Sequence, residues 1–248
     1  MSTPVVLITG ALTGIGRATA INFAKQGARL VVSGRKEAEG EALEAELRGL
    51  DTEAEFVTAD VRREKDVSNL VDRAVARFGR LDIAVNNAGT EGKPGPVIDV
   101  SVETYAAMFE TNVLGTLLGL KHELRIMQAQ GSGSIVNISS TMGERGAANF
   151  SLYAGSKHAV EGITKSAAIE AAAYDVRVNA VAPGPTETGM LDRLAGSTDK
   201  KAAFYAAVPL KRGASPSEIA DTVVFVASAR AAYITGQIIR VNGGKTAS

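Results

Sequence analysis

The chain has 248 residues, of which 45% are hydrophobic, so it is long and apolar enough to bury a sizeable core. Its 27 basic and 27 acidic residues give no net charge, which argues against nucleic acid or an anionic membrane as a partner. The absence of cysteine excludes disulfide bridges, thiolate metal ligands and a cysteine nucleophile.

No linker rich in proline, glycine or charge divides the chain, so we predict a single domain over residues 1–248. The first apolar run, Val5–Ile8, follows Met1–Pro4 directly and is too short for a signal peptide or a membrane span. The protein is therefore expected to be soluble and cytoplasmic.

The first predicted strand, Val5–Ile8, ends in a glycine-rich turn, and a helical pattern follows from about Ile15 to Gln26. Such a turn lets the backbone approach a pyrophosphate, whose charge the helix N-terminus stabilises. The spacing Gly-x-x-x-Gly-x-Gly departs from the general Gly-x-Gly-x-x-Gly fingerprint, and the alternative is a tight turn without a ligand. The immediate succession of strand, turn and helix favours a dinucleotide site. Its predicted contacts are Gly10, Thr13, Gly14, Ile15 and Gly16.

The second predicted strand, Ala28–Gly34, carries Gly34 where a dinucleotide fold normally places an acid on the ribose 2′-hydroxyl of NAD. Arg35 follows, and a guanidinium can pair bidentately with a 2′-phosphate. NADP(H) is therefore favoured, and NAD(H) is the alternative cofactor. The opposing interpretation is that Arg35 and Lys36 only open a solvated helix, since five glutamates follow over residues 37–46 and the glycine turn offers no second cation.

Two further predicted strands end in polar or small residues. The strand at about Ala54–Thr58 is followed by Asp60, and the stretch Leu81–Val85 is followed by Asn86–Gly89. Because the carboxyl ends of parallel strands collect ligands, Asp60 is expected to accept a hydrogen bond from the adenine amino group, and Asn86–Gly89 to let the ribose lie close. An ordinary turn is the alternative for Asn86–Gly89. The contacts assigned to these two turns are Asp60, Val61, Asn87, Ala88 and Gly89.

Tyr153 and Lys157 are four residues apart in an alanine-rich helical run from Ser151 to about Ala173, which puts them on one face about one turn apart. A nearby ammonium favours phenolate, so Lys157 is expected to lower the pKa of Tyr153 from its ordinary value of about 10. Such a tyrosine can exchange a proton with a substrate oxygen. Alone the pair is weak evidence, because this spacing also occurs at the edge of an ordinary core.

Further motifs accompany this pair along the chain. They are Thr9-Gly10-x-x-x-Gly14-Ile15-Gly16, Asp60, Asn86-Asn87-Ala88-Gly89, Asn112, Ser140 and Pro183-Gly184-x-x-x-Thr188. Together they resemble the short-chain dehydrogenases/reductases over essentially the whole chain. The resemblance implies a single α/β domain, Rossmann-like and doubly wound, with a seven-stranded parallel sheet flanked by helices and a nicotinamide cofactor. It also implies a catalytic tetrad of Asn112, Ser140, Tyr153 and Lys157, with Ser140 selected over Ser139 because it stands thirteen residues before the tyrosine.

By this resemblance each member of the tetrad has a role. Ser140 polarises the substrate carbonyl and Tyr153 donates a proton to the developing alkoxide, where negative charge builds up. Lys157 lowers the tyrosine pKa and bonds the nicotinamide ribose, and Asn112 holds a water that connects Lys157 to solvent. Thr188 resembles the family's contact to the nicotinamide side of the cofactor, and Pro183 and Gly184 in the same motif are predicted cofactor contacts.

The segment from about 185 to 212 shows few helix-period features and resembles the family's mobile substrate lid. Four of its side chains either line an apolar pocket or serve as packing residues: Met190, Leu191, Leu194 and Phe204. Polar residues near the motifs suggest a partly polar pocket, namely Glu91, Glu144 and Arg145, with Phe150 beside them. The C-terminal region and the helix from Lys157 to Ala173 resemble surfaces through which relatives form tetramers, so a homotetramer is expected.

The leading hypothesis is an NADP(H)-dependent oxidoreductase that interconverts a small-molecule ketone or aldehyde and an alcohol. One alternative is a 3-oxoacyl-[acyl-carrier-protein] reductase, which would need a basic docking patch. The candidates for that patch are Lys121, Arg125, Lys211 and Arg212. A second alternative is a catalytically silent dinucleotide-binding sensor or scaffold, against which the intact tetrad counts. No metal site is predicted, because His122 and His158 are isolated from carboxylates at ligand spacing.

Overall fold

A seven-stranded sheet forms the centre of the molecule, in the strand order β3-β2-β1-β4-β5-β6-β7. The computed structural model describes residues 3–247. Every neighbouring pair of strands is parallel. The chain adds β2 and β3 on one side of β1 and then β4 to β7 on its other side, so the sheet is doubly wound as predicted. The strands are Val5–Ile8 (β1), Arg29–Gly34 (β2), Ala54–Thr58 (β3), Ile83–Asn86 (β4), Gly133–Ile138 (β5), Val176–Pro183 (β6) and Ile238–Val241 (β7).

Helices cover both faces of this sheet. One apolar cluster packs α1, α2 and α9 on one face, and a second packs α3, α5 and α6 on the other. The strands between them are buried on both sides, which is why β1 reads as four consecutive apolar residues rather than as an alternating pattern. The helices are Gly14–Ala24 (α1), Glu37–Arg48 (α2), Glu64–Phe78 (α3), Val102–Phe109 (α4), Gly115–Gln130 (α5), Ser151–Ala171 (α6), Gly189–Ala195 (α7), Thr198–Ala206 (α8) and Pro216–Ala227 (α9). Among residues 3–247, none of the helices combines the length and apolar character needed to cross a bilayer.

The predicted strands and the observed ones differ by at most two residues at each end, because short apolar runs between turns mark them clearly. The segment from 185 to 212 differs more from its prediction, since it holds two helices, α7 and α8. Each begins at a hydroxyl cap: Thr188 accepts from the Leu191 amide at 3.5 Å, and Ser197 accepts from the Lys200 amide at 3.4 Å. Such short helices start at a capping residue and carry too few turns for an apolar period to reveal them.

A polar network lies inside the second core, beneath the middle of the sheet. The Asn86 amide donates to Glu123 at 2.9 Å and to Asn137 at 3.0 Å, and Asn137 in turn donates to Thr164 at 2.9 Å. Glu123 is fully buried, and burial raises the pKa of its carboxyl to about 8, although the Asn86 hydrogen bond opposes the shift. The side chain of Asn86 therefore points into the core, away from the ribose position expected for it.

Candidate active site

The residues predicted for the site come together at one edge of the sheet, where the strands end. Gly10, Thr13, Gly14, Ile15 and Gly16 follow β1 or open α1, and Arg35 follows β2. The remaining predicted residues end or follow β3, β4, β5 and β6 or lie on the helices that pack there; they are Asp60, Val61, Asn87, Ala88, Gly89, Asn112, Ser140, Tyr153, Lys157, Pro183, Gly184 and Thr188. This edge is where parallel α/β sheets bind their ligands.

The glycine turn after β1 is locked to the turn after β4. The Thr9 hydroxyl accepts from the amides of Asn87 and Ala88 at 3.1 and 3.2 Å, and the Asn87 side chain donates to the carbonyls of Thr9 and Gly10 at 3.0 and 2.9 Å. Gly10 has a φ of +64°, and a Cβ there would lie 2.8 Å from the Cα of Ala88. Only glycine combines that backbone conformation with so close an approach.

The first turn of α1 fits an anionic group. Its N-cap residue, Thr13, is extended and makes no side-chain hydrogen bond to the helix. The N–H groups of the first turn therefore remain available to donate hydrogen bonds to a ligand. The positive end of the helix dipole adds to those donors. Thr188 closes the other side, since a Cβ on Gly14 would lie 3.1 Å from its Cγ2 atom. The donor set therefore suits the pyrophosphate of a dinucleotide.

Charged side chains gather where β2 and β3 end. Arg35 is exposed immediately after the buried Gly34, and Lys36 pairs with Glu39 at 2.5 Å. The Arg62 side chain donates to both oxygens of Asp60, with Nε at 2.9 and 3.1 Å. That hydrogen bond holds the pKa of Asp60 well below its usual range, at about 2, and the positive charge of Arg35 adds to the effect. Arg62 supplies a second cation, which sequence reasoning missed because it stands beyond the motif.

The other end of the edge holds the tyrosine, lysine and serine. Ser140 follows β5 and caps a single 3₁₀ turn, Thr141–Gly143, by accepting from the Met142 amide at 3.2 Å. Tyr153 lies in the first turn of α6, and the Lys157 ammonium is 5.8 Å from the centre of its ring. Lys157 donates to the carbonyl of Ile138, the last residue of β5, at 2.8 Å. Ser140 and Tyr153 are half-buried, so both remain accessible from the cleft.

Asn112 lies in a π-helical turn, Glu110–Leu114, between α4 and α5. Its side chain accepts from the Thr90 amide at 2.8 Å and donates to the Thr90 carbonyl at 2.9 Å and the Ser156 hydroxyl at 3.0 Å. A Cβ on Gly89 would lie 3.3 Å from the Asn112 carbonyl oxygen and 3.7 Å from the Lys157 ammonium. The widened turn thus brings a buried amide beside the buried lysine, as π turns often do at functional sites.

Comparison with known proteins agrees with this geometry. A family model described as enoyl-(acyl carrier protein) reductase matches residues 10–246. Cis-4-hydroxycyclohexanecarboxylate dehydrogenase of Sinomonas cyclohexanicum is 41% identical over 243 residues, which are 98% of this chain and 96% of that protein. A solved short-chain type dehydrogenase/reductase from Mycobacterium marinum matches with a TM-score of 0.94 at 33% identity over 100% of this chain and 97% of its own. ElxO with NADP bound matches with a TM-score of 0.94 at 32% identity over 100% of both chains.

The chain belongs to the short-chain dehydrogenase/reductase family. The resemblance inferred from the motifs is thereby confirmed. Members are oxidoreductases that act on alcohol or ketone substrates and bind a nicotinamide dinucleotide. The α/β fold with its seven parallel strands is confirmed as well.

The expected effect of Lys157 on Tyr153 in this short-chain dehydrogenase/reductase is wrong. Loss of hydration raises the pKa of Tyr153 to about 12; a hydrogen bond with Ser140 lowers it, and the negative charge of Glu91 raises it further. Burial also lowers the pKa of Lys157 to about 8, against the attraction of Glu161. The spacing of four residues does bring the two groups together, but desolvation of the phenolate is the largest influence on the pKa of Tyr153. Tyr153 is therefore a protonated phenol at neutral pH.

A cavity of about 280 Å³ opens beside Tyr153. Its wall combines apolar side chains with a few charged ones. Of the four residues named for a partly polar pocket, Glu91 and Phe150 line it, whereas Glu144 and Arg145 do not. The lining residues are Glu91, Lys93, Pro94, Gly95, Pro96, Asp99, Val100, Thr104, Met108, Asn149, Phe150, Ser151, Leu152 and Tyr153. Glu91 is buried and accepts from the Arg193 side chain of α7 at 2.7 Å, so one ion pair ties the 185–212 segment to this wall.

Several other residues from the sequence analysis lie away from this cavity. Met190, Leu191, Leu194 and Phe204 are not among its lining residues, and Leu191 is buried. Glu144 pairs with Arg240 at 2.8 Å, and Arg145 donates to the Lys245 carbonyl at 3.1 Å.

The two histidines have packing contacts. The Nδ1 atom of His158 is 2.8 Å from the Ala154 carbonyl, and His122 is buried with its Nε2 atom 3.3 Å from Glu64. Within residues 3–247, no three histidine or acidic side chains form a group that could hold a metal ion.

Proposed function

We propose that the protein is an NADP(H)-dependent reductase of a small ketone or aldehyde. The observation that carries this proposal is the half-buried Tyr153, whose phenol keeps its proton and lies between Ser140 and Lys157. A neutral phenol in reach of a substrate carbonyl is suited to donate a proton as negative charge develops on oxygen. Interconversion of an alcohol and a carbonyl needs one such acid–base group.

We assign the cofactor to the sheet edge described above. The amides at the start of α1 would hold the pyrophosphate, and Arg35, with Arg62 nearby, would pair with a 2′-phosphate on the adenosine ribose. The bound NADP of the related ElxO supports NADP(H) over NAD(H). The proposed cofactor contacts are Gly10, Thr13, Gly14, Ile15, Gly16, Arg35, Asp60, Val61, Asn87, Ala88, Gly89, Tyr153, Lys157, Pro183, Gly184 and Thr188.

When bound, NADPH supplies the hydride that reduces the carbonyl carbon. The Ser140 hydroxyl then donates a hydrogen bond to the substrate oxygen and keeps it within reach of the Tyr153 hydroxyl. Tyr153 gives its proton to that oxygen and becomes a phenolate. The Lys157 ammonium, 5.8 Å from the centre of the ring, stabilises that negative charge. Asn112, beside Lys157, holds the path through which the proton is replaced from solvent.

The cavity indicates the size of the substrate. Its volume of about 280 Å³ suits a molecule of one ring better than a long chain, and the apolar wall suits a largely apolar body. A related protein is named for a hydroxycyclohexanecarboxylate. Cyclic ketones, with 4-oxocyclohexanecarboxylate among them, are therefore the first substrates to screen.

A 3-oxoacyl-[acyl-carrier-protein] reductase is the second candidate, since the family model carries an acyl carrier protein in its description. An acidic carrier would need unpaired basic residues near the cleft. Here Lys121, Arg125 and Arg212 are each paired with a carboxylate, at 2.5, 2.6 and 2.6 Å. Lys211, the fourth candidate, donates to the Ala206 carbonyl at 2.8 Å. If the carrier-bound 3-oxoacyl group competes effectively with the small ketone, this candidate replaces the first.

We further propose a cytoplasmic homotetramer. Large apolar side chains stand exposed on α6 and near the C-terminus, with Ile169 80% exposed and Tyr233 fully so. Burying such residues between subunits is favourable. Light scattering after gel filtration should give four times the mass of 25.7 kDa. Ile169→Glu should reduce that mass, and a parent of monomeric mass would contradict the proposal.

The deciding experiment titrates the protein with NADPH and NADH in parallel by nicotinamide fluorescence, and then assays the ketone panel with the preferred cofactor. The proposal predicts tighter binding of NADPH and turnover of at least one ketone. Cofactor binding without turnover of the ketones or of the carrier substrate would instead favour a silent sensor. A clear preference for NADH would replace the assignment of NADP(H).

A further inference from the structure

A buried ion pair lies behind the tyrosine and serine. Glu161 is on α6, four residues after Lys157, and only 6% of its side chain is exposed. Its carboxylate receives two hydrogen bonds from Arg240 of β7, one of them from Nη2 to Oε2 at 2.7 Å. The two residues are 79 positions apart in the chain. A fork of this kind fixes both orientation and distance, which a single hydrogen bond does not.

Arg240 also reaches the loop that carries Ser140. Its Nη1 atom donates to the Ser140 carbonyl at 3.4 Å, and its Nε atom lies 2.8 Å from a carboxylate oxygen of Glu144. The Ser139 hydroxyl donates to Glu161 at 2.7 Å. One arginine and one glutamate thus hold together the loop after β5, the helix α6 and the strand β7.

The loop and the glutamate are closely packed at this junction. Gly143 ends the 3₁₀ turn after Ser140, and a Cβ there would overlap the carboxylate of Glu161. The loop therefore lies directly on the glutamate side chain. An apolar pair of similar volume often packs as stably as a buried ion pair. Such a pair would have no donor for the Ser140 carbonyl and no acceptor for the Ser139 hydroxyl.

The same glutamate acts on Lys157 by its charge. The groups that face Lys157 are Tyr153 and Glu161 on its own helix, the Ile138 carbonyl of β5 and the Asn112 amide. Glu161 supplies the negative charge that raises the pKa of Lys157 against burial. Arg240 holds the Glu161 carboxylate in place through its two hydrogen bonds.

We propose that Arg240 and Glu161 are positioning residues that hold the Ser140 loop against α6, so that Ser140 and Tyr153 meet the same substrate oxygen. This inference rests on the proposed reductase function. Neither residue is among the proposed cofactor contacts or the residues that line the cavity. Their contribution is to keep two reacting hydroxyls, which come from different elements, in one fixed relation, and a misplacement of about 1 Å in such a site can cost about a hundredfold in rate.

The test compares three variants. Arg240→Met/Glu161→Gln removes both charges and leaves no unpaired ion in the interior, so it is expected to fold. Arg240→Lys keeps the charge but cannot form the fork to Glu161 and contact the Ser140 carbonyl and Glu144 at the same time. The control is Glu55→Gln, which removes a buried carboxylate paired with Arg73 at the amino end of β3, far from the site.

The double variant should lower kcat about tenfold to a hundredfold. It should leave the Kd for NADPH within about twofold, since it spares the groups assigned to the cofactor. Arg240→Lys should recover part of kcat, and Glu55→Gln should retain the parent value. In the parent, kcat should fall as the pH rises through about 8, where Lys157 loses its proton. Removal of the Glu161 charge should move this fall to lower pH, because Lys157 then loses its proton more readily. A kcat loss no larger than that of the control would overturn the proposal.

Hydrogen exchange provides a readout that does not depend on the reaction. The amides of residues 139–144 should exchange faster in the double variant than in the parent and in Glu55→Gln, and equal rates would count against the positioning role. Tyr153→Phe separates the two hypotheses. If it turns over as fast as the parent, the proposed function fails; if it is inactive while the double variant is fully active, only the positioning role fails.

Discussion

The two ends of the proposed cofactor cleft differ in how water reaches their charged groups. Where β2 and β3 end, Arg35 is exposed and the Arg62 side chain is 37% exposed beside Asp60. Where β5 ends and α6 begins, Lys157 is only 5% exposed and the pKa of Tyr153 is dominated by loss of hydration. At the first end, a partner arginine thus lowers the pKa of Asp60. At the second end, dehydration raises the pKa of Tyr153 and lowers the pKa of Lys157.

This difference predicts unequal consequences of substitution. A hydrogen bond or charge in a dry site has no water to replace it, so its removal is costly. An exposed charge is partly replaced by water and screened by salt. The reaction end should therefore govern rate, and the exposed end should govern the choice between cofactors. Four experiments test this division, in order of decreasing expected effect.

The largest effect is expected from Tyr153→Phe. Without the phenol proton, kcat for ketone reduction should fall about a thousandfold, the range typical for loss of a general acid. The Kd for NADPH should change little, because the ring remains. Stopped assays with the tyrosine variant and with Tyr174→Phe, a half-exposed control, would measure the loss. An active Tyr153→Phe enzyme would remove the basis of the mechanism.

A smaller loss, about a hundredfold, is expected from Lys157→Met. In the parent, Lys157 is an ammonium below pH about 8 and an amine above it, so the rate of ketone reduction should fall as the pH rises through about 8. The methionine variant should show no such fall. Lys165→Met, at an exposed position of the same helix, is the matched control and should keep the parent profile. An identical pH profile in parent and Lys157→Met would assign the fall to another group.

Arg35→Ser tests the exposed end. Loss of a charge-assisted pair should weaken NADPH between about tenfold and a hundredfold and leave NADH within about twofold. Lys36→Ser removes a positive charge one position away and should affect NADPH much less. Fluorescence titration of both variants with both cofactors would give four Kd values, each to be compared with the parent Kd for the same cofactor. Equal weakening of NADPH and NADH would exclude Arg35 from phosphate recognition.

Salt should produce the smallest effect and should separate the two ends in the wild-type protein. Raising ionic strength from about 0.05 M to about 0.5 M should weaken NADPH binding a few-fold, because the exposed arginines are screened. The kcat at saturating NADPH should stay nearly constant, since Lys157 is buried. A kcat that falls in parallel with affinity would show that the reaction end is not shielded.

The sequence predicts much of the fold and most of the candidate site, because the signals are local. A short apolar run marks each buried strand, and the residues that follow it occupy the ligand-binding edge. Ser139, which the thirteen-residue spacing excludes as the catalytic serine, donates to Glu161 instead.

Other features depend on contacts between distant residues. The pair of Glu161 and Arg240 joins positions 79 residues apart, and no spacing rule connects a helix to the last strand. The pKa of Tyr153 follows from the number of neighbours that exclude water from the phenol, which a helical spacing of four does not reveal. The short helices α7 and α8 are capped by Thr188 and Ser197, and such caps depend on backbone geometry.

The carboxyl group of Glu123 has a consequence for folding itself. In the unfolded chain its pKa has the ordinary value of 4.5, whereas burial in the native core raises it to about 8. At pH 6.5 the native side chain therefore carries a proton that the unfolded one lacks, and refolding should take up close to one proton at this residue. Stability gained from this residue is complete below pH 4.5 and declines until pH about 8. Refolding in weak buffer with a pH indicator should show the uptake, and Glu123→Gln should abolish it.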